Sequence, residues 1–317
     1  MQTIDCEEKM TRIEFVAGPR GFEPRISGFA GGQNSAELLT ASALLSKFKE
    51  FCEIDLQLSR RTVDNSSGHL FQVRRFLETI NKNPSQVTAE DVRAYLSMFQ
   101  SKSAYTRANV LKSLKRFFRD FLKMPQVVES FKFPKRGYTP KTVPSKDDLK
   151  RFFDALENDR DRAVFLLYAT SGLRRSELLN LTFDDLDLKS RTVIPKSHTT
   201  GTTKNSWVSC FNEEASTYLR RYSETRQTTD DKRLFPVTEF AFRKAFKKAN
   251  SKTSLHLTPQ VLREWFCCQL GELGVPDRYV DALCGRTPKS ILGKHYTDYS
   301  PQKLKTIYDK ANLTVLD

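Results

Sequence analysis

No C-x-x-C pair occurs among the six cysteines, and no H-x-x-x-H among the four histidines. Zinc sites and disulfide frameworks depend on such spacings, so neither a structural metal nor a disulfide scaffold is expected. Most of the cysteines (Cys6, Cys52, Cys210, Cys267, Cys268 and Cys284) lie in apolar helical stretches and read as core. No apolar run reaches the roughly 18 residues that a membrane span needs. MQTIDCEEKM lacks the basic-then-apolar order of a secretory leader, which points to a cytoplasmic protein.

What is present is positive charge and phenylalanine. Fifty-two Lys and Arg against 38 Asp and Glu give a net charge of +14, which favours a polyanionic partner. Charge alone would also suit an acidic membrane or a ribosomal contact. The 38% hydrophobic content and 23 phenylalanines supply real cores and exclude a disordered chain. A length of 317 residues suggests about two domains.

Four segments follow. Residues 1–35 include the Gly- and Pro-rich GPRGFEPRISGFAGGQNS and read as an irregular arm, with four basic and five acidic side chains. The excess positive charge therefore lies beyond residue 35. Residues 36–130 read as an all-α DNA-binding domain. Leu44, Leu45, Phe48, Phe51 and Cys52 keep i, i+3, i+4 spacing, as do Leu70, Val73, Phe76, Leu77 and Ile80. Thr88 with Asp91 makes a capping-box start for a helix carrying Val92, Tyr95, Leu96 and Phe99. The next helix, about 104–122, turns Val110, Leu111, Leu114, Phe117, Phe118 and Phe121 inward. Its other face presents Lys112, Lys115, Arg116, Arg119 and Lys123. Residues 101–141 hold 11 basic and two acidic side chains, too one-sided for a surface of mutual ion pairs. Phosphate contact is the expected use of that face. Residues 131–144, with Lys135 and Arg136, read as a basic linker that lies along the nucleic acid.

From Ser145 to Asp317 a second, mostly α domain is expected. Ser145 with Asp148 caps its first helix, and Gly172 breaks one helix before the next opens at Arg174. Residues 183–210 alternate and turn, which predicts a small antiparallel sheet. Helices are expected at about 213–224, 238–250, 259–273, 276–284 and 300–312.

Four cations precede a tyrosine in this half: Arg174 in TSGLRRSELLNL, Lys196 in RTVIPKSHTTG, Arg263 in LTPQVLREWF, and Arg286 ahead of Tyr296. Guanidinium groups match the oxygens of a phosphodiester bidentately and stay charged at any physiological pH. A tyrosine hydroxyl beside them can be a covalent nucleophile once cations favour its ionised form. Arg175 competes with Arg174, Lys204 with Lys196, and Tyr299 with Tyr296. Arg263 could instead pair with a carboxylate such as Glu264. Glu177, one turn beyond Arg174, could orient its guanidinium. An ammonium at Lys196 suits protonation of a leaving 5′ oxygen.

Together these segments, with L-T-P-x-x-x-R-x-x-F, L-x-G-x and the late tyrosine, resemble the tyrosine recombinases of the phage integrase and Xer group over residues 36–317. SAYTRANVLKSLKRFFRDFL is similar to that family's core-binding domain. The resemblance implies an all-α core-binding domain and an α-rich catalytic domain with a small antiparallel sheet. It implies that Arg174 and Arg263 clamp the phosphate, that Lys196 is the general acid and that Tyr296 forms a 3′-phosphotyrosyl link. No cofactor is implied, and the partner is double-stranded DNA gripped by a homotetramer on two sites. Two positions depart from the pattern. Gln260 stands where the family's H-x-x-R has histidine, and Arg286 where a later His or Trp is usual. Glutamine can donate to a phosphate oxygen but cannot take a proton from tyrosine. The ending CGRTPKSILGKHYTDY looks similar to integrases of archaeal viruses and plasmids of fusellovirus type.

Gly21 to Arg25, GFEPR, can be encoded by DNA containing GGTTCGAACC, which has the form of a tRNA T-arm. Chance codon choice also allows such a match. In an integrase the expectation is that the gene carries its own attachment site in a tRNA gene. The alternatives are a host Xer-type resolvase, a type IB topoisomerase-like enzyme, and a non-catalytic DNA-binding protein.

Overall fold

The structure is a computed structural model that describes residues 13–18, 21–24, 37–39, 41–138, 140–195, 208–226, 230–286, 288 and 290–317. The chain divides into two compact units, Met1–Thr139 and Pro140–Asp317.

In the first unit β1 (Ile13–Gly18), β2 (Gly21–Pro24) and β3 (Glu37–Leu39) form an antiparallel sheet in the order β2-β1-β3. Strands thus occur within the segment expected to be an irregular arm. IEFVAG concentrates the β-branched and aromatic residues that suit a strand, and Gly18 pairs with Gly21 at hairpin spacing. The Gly and Pro content masked that alternation.

Five α-helices follow among the described residues: α1 (Ala41–Ile54), α2 (Arg60–Asp64), α3 (His69–Ile80), α4 (Ala89–Ser97) and α5 (Ala104–Lys115). Thr88 and Asp91 form the expected capping box at α4, with the Thr88 amide donating to Asp91 Oδ2 at 2.9 Å. Phenylalanines knit the core edge to face: Phe48 lies 5.1 Å from Phe117, and Phe76 lies 5.6 Å from Phe118. α5 continues into a π-helical stretch, Arg116–Phe121. The wider turn lets Phe117 and Phe118, adjacent in sequence, both be fully buried.

The same region corrects one expectation about the basic face. Lys115 is only 8% exposed, and its ammonium approaches the Glu129 carbonyl at 3.5 Å and the Phe133 ring at 5.7 Å. It sits between Leu114 and the inward π segment, so it is turned into the unit rather than out toward a phosphate.

The second unit contains α6 (Lys146–Asp154), α7 (Asp159–Ser171), α8 (Arg175–Leu179), α9 (Glu213–Thr225), α10 (Glu239–Thr253), α11 (Pro259–Glu272), α12 (Asp277–Leu283), α13 (Ile291–His295) and α14 (Pro301–Ala311). A small antiparallel sheet, β4 (Leu186–Asp187), β5 (Thr192–Val193) and β6 (Ser209–Cys210), lies in the order β4-β5-β6. α7 is the hub. Its residues Ala163–Ser171 are all buried, and α9 and α11 pack along it. A helix apolar all round is what such a central position requires. The five-residue α13 has no counterpart among the sequence-predicted helices, because ILGKH is too short to show a period.

Candidate active site

α7 ends abruptly at Gly172, whose φ of +59° is left-handed. A Cβ there would also stand 2.4 Å from the Phe266 ring, so both backbone and packing call for glycine. The turn delivers Arg174 to the N-cap of α8. Its guanidinium donates to Glu177 Oε1 at 2.7 Å and to the Gly285 carbonyl at 2.9 Å, while its amide donates to Glu177 Oε2 at 2.7 Å. Glu177 therefore holds both the backbone and the side chain of Arg174. Arg175 turns elsewhere and pairs with Glu239 on α10 at 3.0 Å. Geometry separates two neighbours that spacing leaves equivalent.

Arg263 stands on α11, whose start is fixed by Thr258 accepting from the Val261 amide and by Pro259 in the first turn. Leu262, Trp265, Phe266 and Leu270 bury that helix and carry Arg263 in with them, leaving it 7% exposed. Its partners are carbonyls, not a carboxylate: Nη1 donates to Gly172 O and Nη2 to Cys284 O, the latter at 2.6 Å. Glu264 instead accepts from Gln260 Nε2 at 3.0 Å and from Lys141. Burial pulls the Arg263 pKa down, and the like charges of Arg174 and Arg286 pull in the same direction. The adjacent carbonyls of Cys284 and Gly285, to which Arg263 and Arg174 donate, bring these two guanidinium groups close together. Two of the five N–H donors of Arg263 go to carbonyls among the described residues, which leaves donors for an anion.

Arg286 follows Gly285 and completes the cluster. Nη1 donates to Asp281 Oδ1 at 2.7 Å, which raises its pKa, and Nη2 points at Cys267 Sγ at 3.6 Å. The carbonyls of Cys284 and Gly285 thus tie Arg263 to Arg174. The sequence reading places Cys267 and Cys284 in the core, and their part in this site escaped it. The signal available was position: Cys267 lies one turn beyond Arg263, and Cys284 two residues before Arg286. Their sulfurs are 3.4 Å apart. Cys52 and Cys210, by contrast, are plainly core, and burial pushes each thiol up to about 12.

Tyr296 ends α13 and is 76% exposed, its amide bonded to the Leu292 carbonyl. Its hydroxyl makes no hydrogen bond among the described residues. Tyr299 is turned inward: its ring lies 6.1 Å from Tyr279, and its hydroxyl is buried without a partner among the described residues. Lys196 and Lys204 lie outside the described residues. Gln260 is held by Glu264 near the start of α11. No cluster of three or more His, Cys, Asp or Glu side chains among the described residues could hold a metal.

Other cations lie on the surface. In the first unit Lys112, Lys123, Lys135 and Arg136 are exposed, with Arg136 stacked over Tyr105 at 5.3 Å. Arg119 pairs with Asp120 at 2.7 Å, and Arg116 is half-buried against His69. In the second unit a cavity of about 850 Å³ beside Arg175 is lined by Arg243, Lys247 and His256.

The helical second unit thus holds a buried Arg263 with Arg174 and Arg286 nearby, and an exposed Tyr296. Residues 143–303 match the model of the phage integrase family, and residues 44–126 match a phage integrase N-terminal SAM-like domain. The chain belongs to the phage integrase family and is a tyrosine site-specific recombinase, an enzyme that breaks and rejoins DNA strands. It is 27% identical over 292 residues to the tyrosine recombinase XerA of Pyrococcus horikoshii, covering 87% of this chain and 96% of that protein. Its fold is similar to a lambda integrase (75–356) dimer bound to a COC′ core site: TM-score 0.62, 15% identity, 83% of this chain and 97% of the other covered. A lambda integrase tetramer bound to a Holliday junction gives a TM-score of 0.61 at 14% identity, with 83% and 81% covered.

Proposed function

We propose that this recombinase integrates and excises a mobile element, with Tyr296 as nucleophile and a tRNA gene as the attachment site. The observation that carries the catalytic part is that Arg263 and Arg174 donate to the successive carbonyls of Cys284 and Gly285, with Arg286 next in the chain. Guanidinium donors held close together suit the charge that grows on phosphate oxygens during attack. Tyr296 Oη forms the new P–O bond, and the 5′ oxygen leaves with a proton from Lys196. The bond energy is kept in the 3′-phosphotyrosyl ester and returned when a free 5′ hydroxyl attacks. Gln260 contributes a hydrogen-bond donor to a phosphate oxygen and takes no proton. The exposure of Tyr296 allows its proton to pass to solvent.

Lys112, Arg116, Arg119, Lys123, Lys135 and Arg136 supply phosphate contacts on the flanking duplex. The exposed cations of the first unit and the arginine cluster of the second each suit contact with the phosphates of double-stranded DNA. The relative bound to a Holliday junction as a tetramer supports four protomers on two sites. A cytoplasmic location fits a DNA substrate, and among the described residues no helix is long and apolar enough to cross a membrane.

A host Xer-type resolvase is the second reading, favoured by the 96% coverage of XerA. The experiment that separates them gives the purified protein a plasmid bearing the coding DNA of residues 15–30 and a tRNA gene that shares it. Recombination between the two supports the integrase. A protein active on another site but inert on this pair is the resolvase.

A further inference from the structure

The two thiols at the arginine cluster have a geometry that simple packing does not require. Cys284 is fully buried at the end of α12, and Cys267 on α11 is partly exposed. Their sulfurs are 3.4 Å apart, and a disulfide needs about 2 Å. Closure therefore requires a shift of little more than an ångström. Cys267 is also the better nucleophile of the pair. The Cys284 thiol hydrogen-bonds to it, and Arg286 and Arg263 lie close, so its pKa is lowered while that of Cys284 is raised. A reactive thiol beside cations with a second thiol in reach is the arrangement of a redox-sensitive pair.

What distinguishes this pair from two core cysteines is what Cys284 holds. Its carbonyl accepts from Arg263, the next carbonyl, Gly285 O, accepts from Arg174, and Cys267 Sγ faces Arg286. Cys284 Sγ would lie only 3.2 Å from a Cβ on Gly172, so the sulfur packs close to the turn that delivers Arg174. Drawing it toward Cys267 shifts the segment from which the arginines take their bearings.

We propose that Cys267 and Cys284 are a peroxide-sensitive switch whose closure into a disulfide stops DNA cleavage by displacing the arginine cluster. Cys267 thiolate attacks one peroxide oxygen; an S–O bond forms, the O–O bond breaks, and the departing hydroxide takes a proton to become water. Cys284 then attacks the sulfenic sulfur; the S–S bond forms, the S–O bond breaks, and hydroxide leaves with the Cys284 proton as a second water. Two electrons pass from the thiols to the peroxide. A dithiol reductant reverses the change.

The functional half of this proposal rests on the assigned site, so the experiment reads two things on the full chain. Protein treated with hydrogen peroxide is digested without reduction and mapped by mass spectrometry, and the same samples are assayed for covalent protein–DNA adduct. The expected result is a Cys267–Cys284 peptide lacking two hydrogens and an adduct yield at least roughly tenfold lower, restored by dithiothreitol. A Cys268→Ser variant should respond as the parent does. A Cys267→Ser variant should show a treated-to-untreated ratio near one, whatever its untreated yield. Absence of the linked peptide overturns the proposal, as does a linked peptide with unchanged adduct. Reduced protein that forms no adduct on any DNA counts against the catalytic assignment, and the peptide map then decides the thiol pairing alone.

Discussion

Tyr296 and Tyr299 are three residues apart on one short stretch, yet Tyr296 is exposed while Tyr299 is half-buried. Tyr299 packs on Tyr279 and buries its hydroxyl, whereas Tyr296 leaves its hydroxyl unbonded among the described residues. Tyr296→Phe should abolish covalent capture of a nicked suicide substrate on denaturing gels, while Tyr299→Phe keeps it. Capture by the Tyr296→Phe protein alone reverses the assignment. Arg263→Lys should lower the cleavage rate about 100-fold or more, because a lysine cannot span two carbonyls and still offer a planar fork. Single-turnover cleavage is the measurement, and a rate within a few fold of the parent refutes a clamping role. The sequence singles these residues out, since each stands in a motif. Their partners were not. A reader of LTPQVLREWF cannot know that Arg263 meets the backbone of residues 172 and 284, because those contacts cross 91 and 21 positions.

At the scale of elements, periodicity served well wherever a helix was long. α1 and α3 show their apolar stripes plainly. α13 and the π stretch did not announce themselves, one for its five residues and the other because it breaks the 3.6 period. That stretch also begins at a site with a testable pH dependence. Arg116 can only donate, so His69 Nε2 accepts from it; the ring proton then sits on Nδ1, bonded to Ser113 Oγ at 2.8 Å. Burial first, then Arg116 and Lys112, pull the His69 pKa down from 6.5 to about 4. The unfolded chain thus binds a proton between those values that the folded one refuses. Stability is lost as pH falls from 6.5 toward 4, with a slope of up to about 1.4 kcal/mol per pH unit. Denaturant unfolding of the parent and of His69→Gln across this window is the check. An equal slope in both proteins would show that His69 is not the group responsible.

At the scale of the whole molecule, the net charge of +14 is the feature a DNA partner would answer, and part of it is exposed on the first unit. Lys112, Lys123, Lys135 and Arg136 are exposed, and none has a carboxylate partner among the described residues. Changing all four to Ala should weaken binding to any duplex. The slope of log K against log salt should fall by roughly 0.9 for each phosphate no longer neutralised. A folded variant with an unchanged slope moves the DNA to another face. Lys115→Ala should leave that slope alone, because its ammonium is turned inward.

The segment before Ala41 is a separate matter, for its sequence is open to explanation as DNA. If the codons of Gly21–Arg25 are a T-arm, the bases are constrained by the tRNA gene, and the protein must accommodate whatever they encode. Gly18 and Gly21, paired across β1 and β2, show a hairpin built from such residues. Integration at this point would cut the gene upstream of the codons for Arg174, Lys196, Arg263, Arg286 and Tyr296 and leave them in one piece. Two results should come together: recombination of this coding stretch with a matching tRNA gene, and DNA cleavage by a protein lacking residues 1–35. Loss of cleavage on removing 1–35, in a chain still folded by circular dichroism, would make the arm part of the enzyme. Cleavage without tRNA-gene recombination would leave the codon match a coincidence and the chain a resolvase.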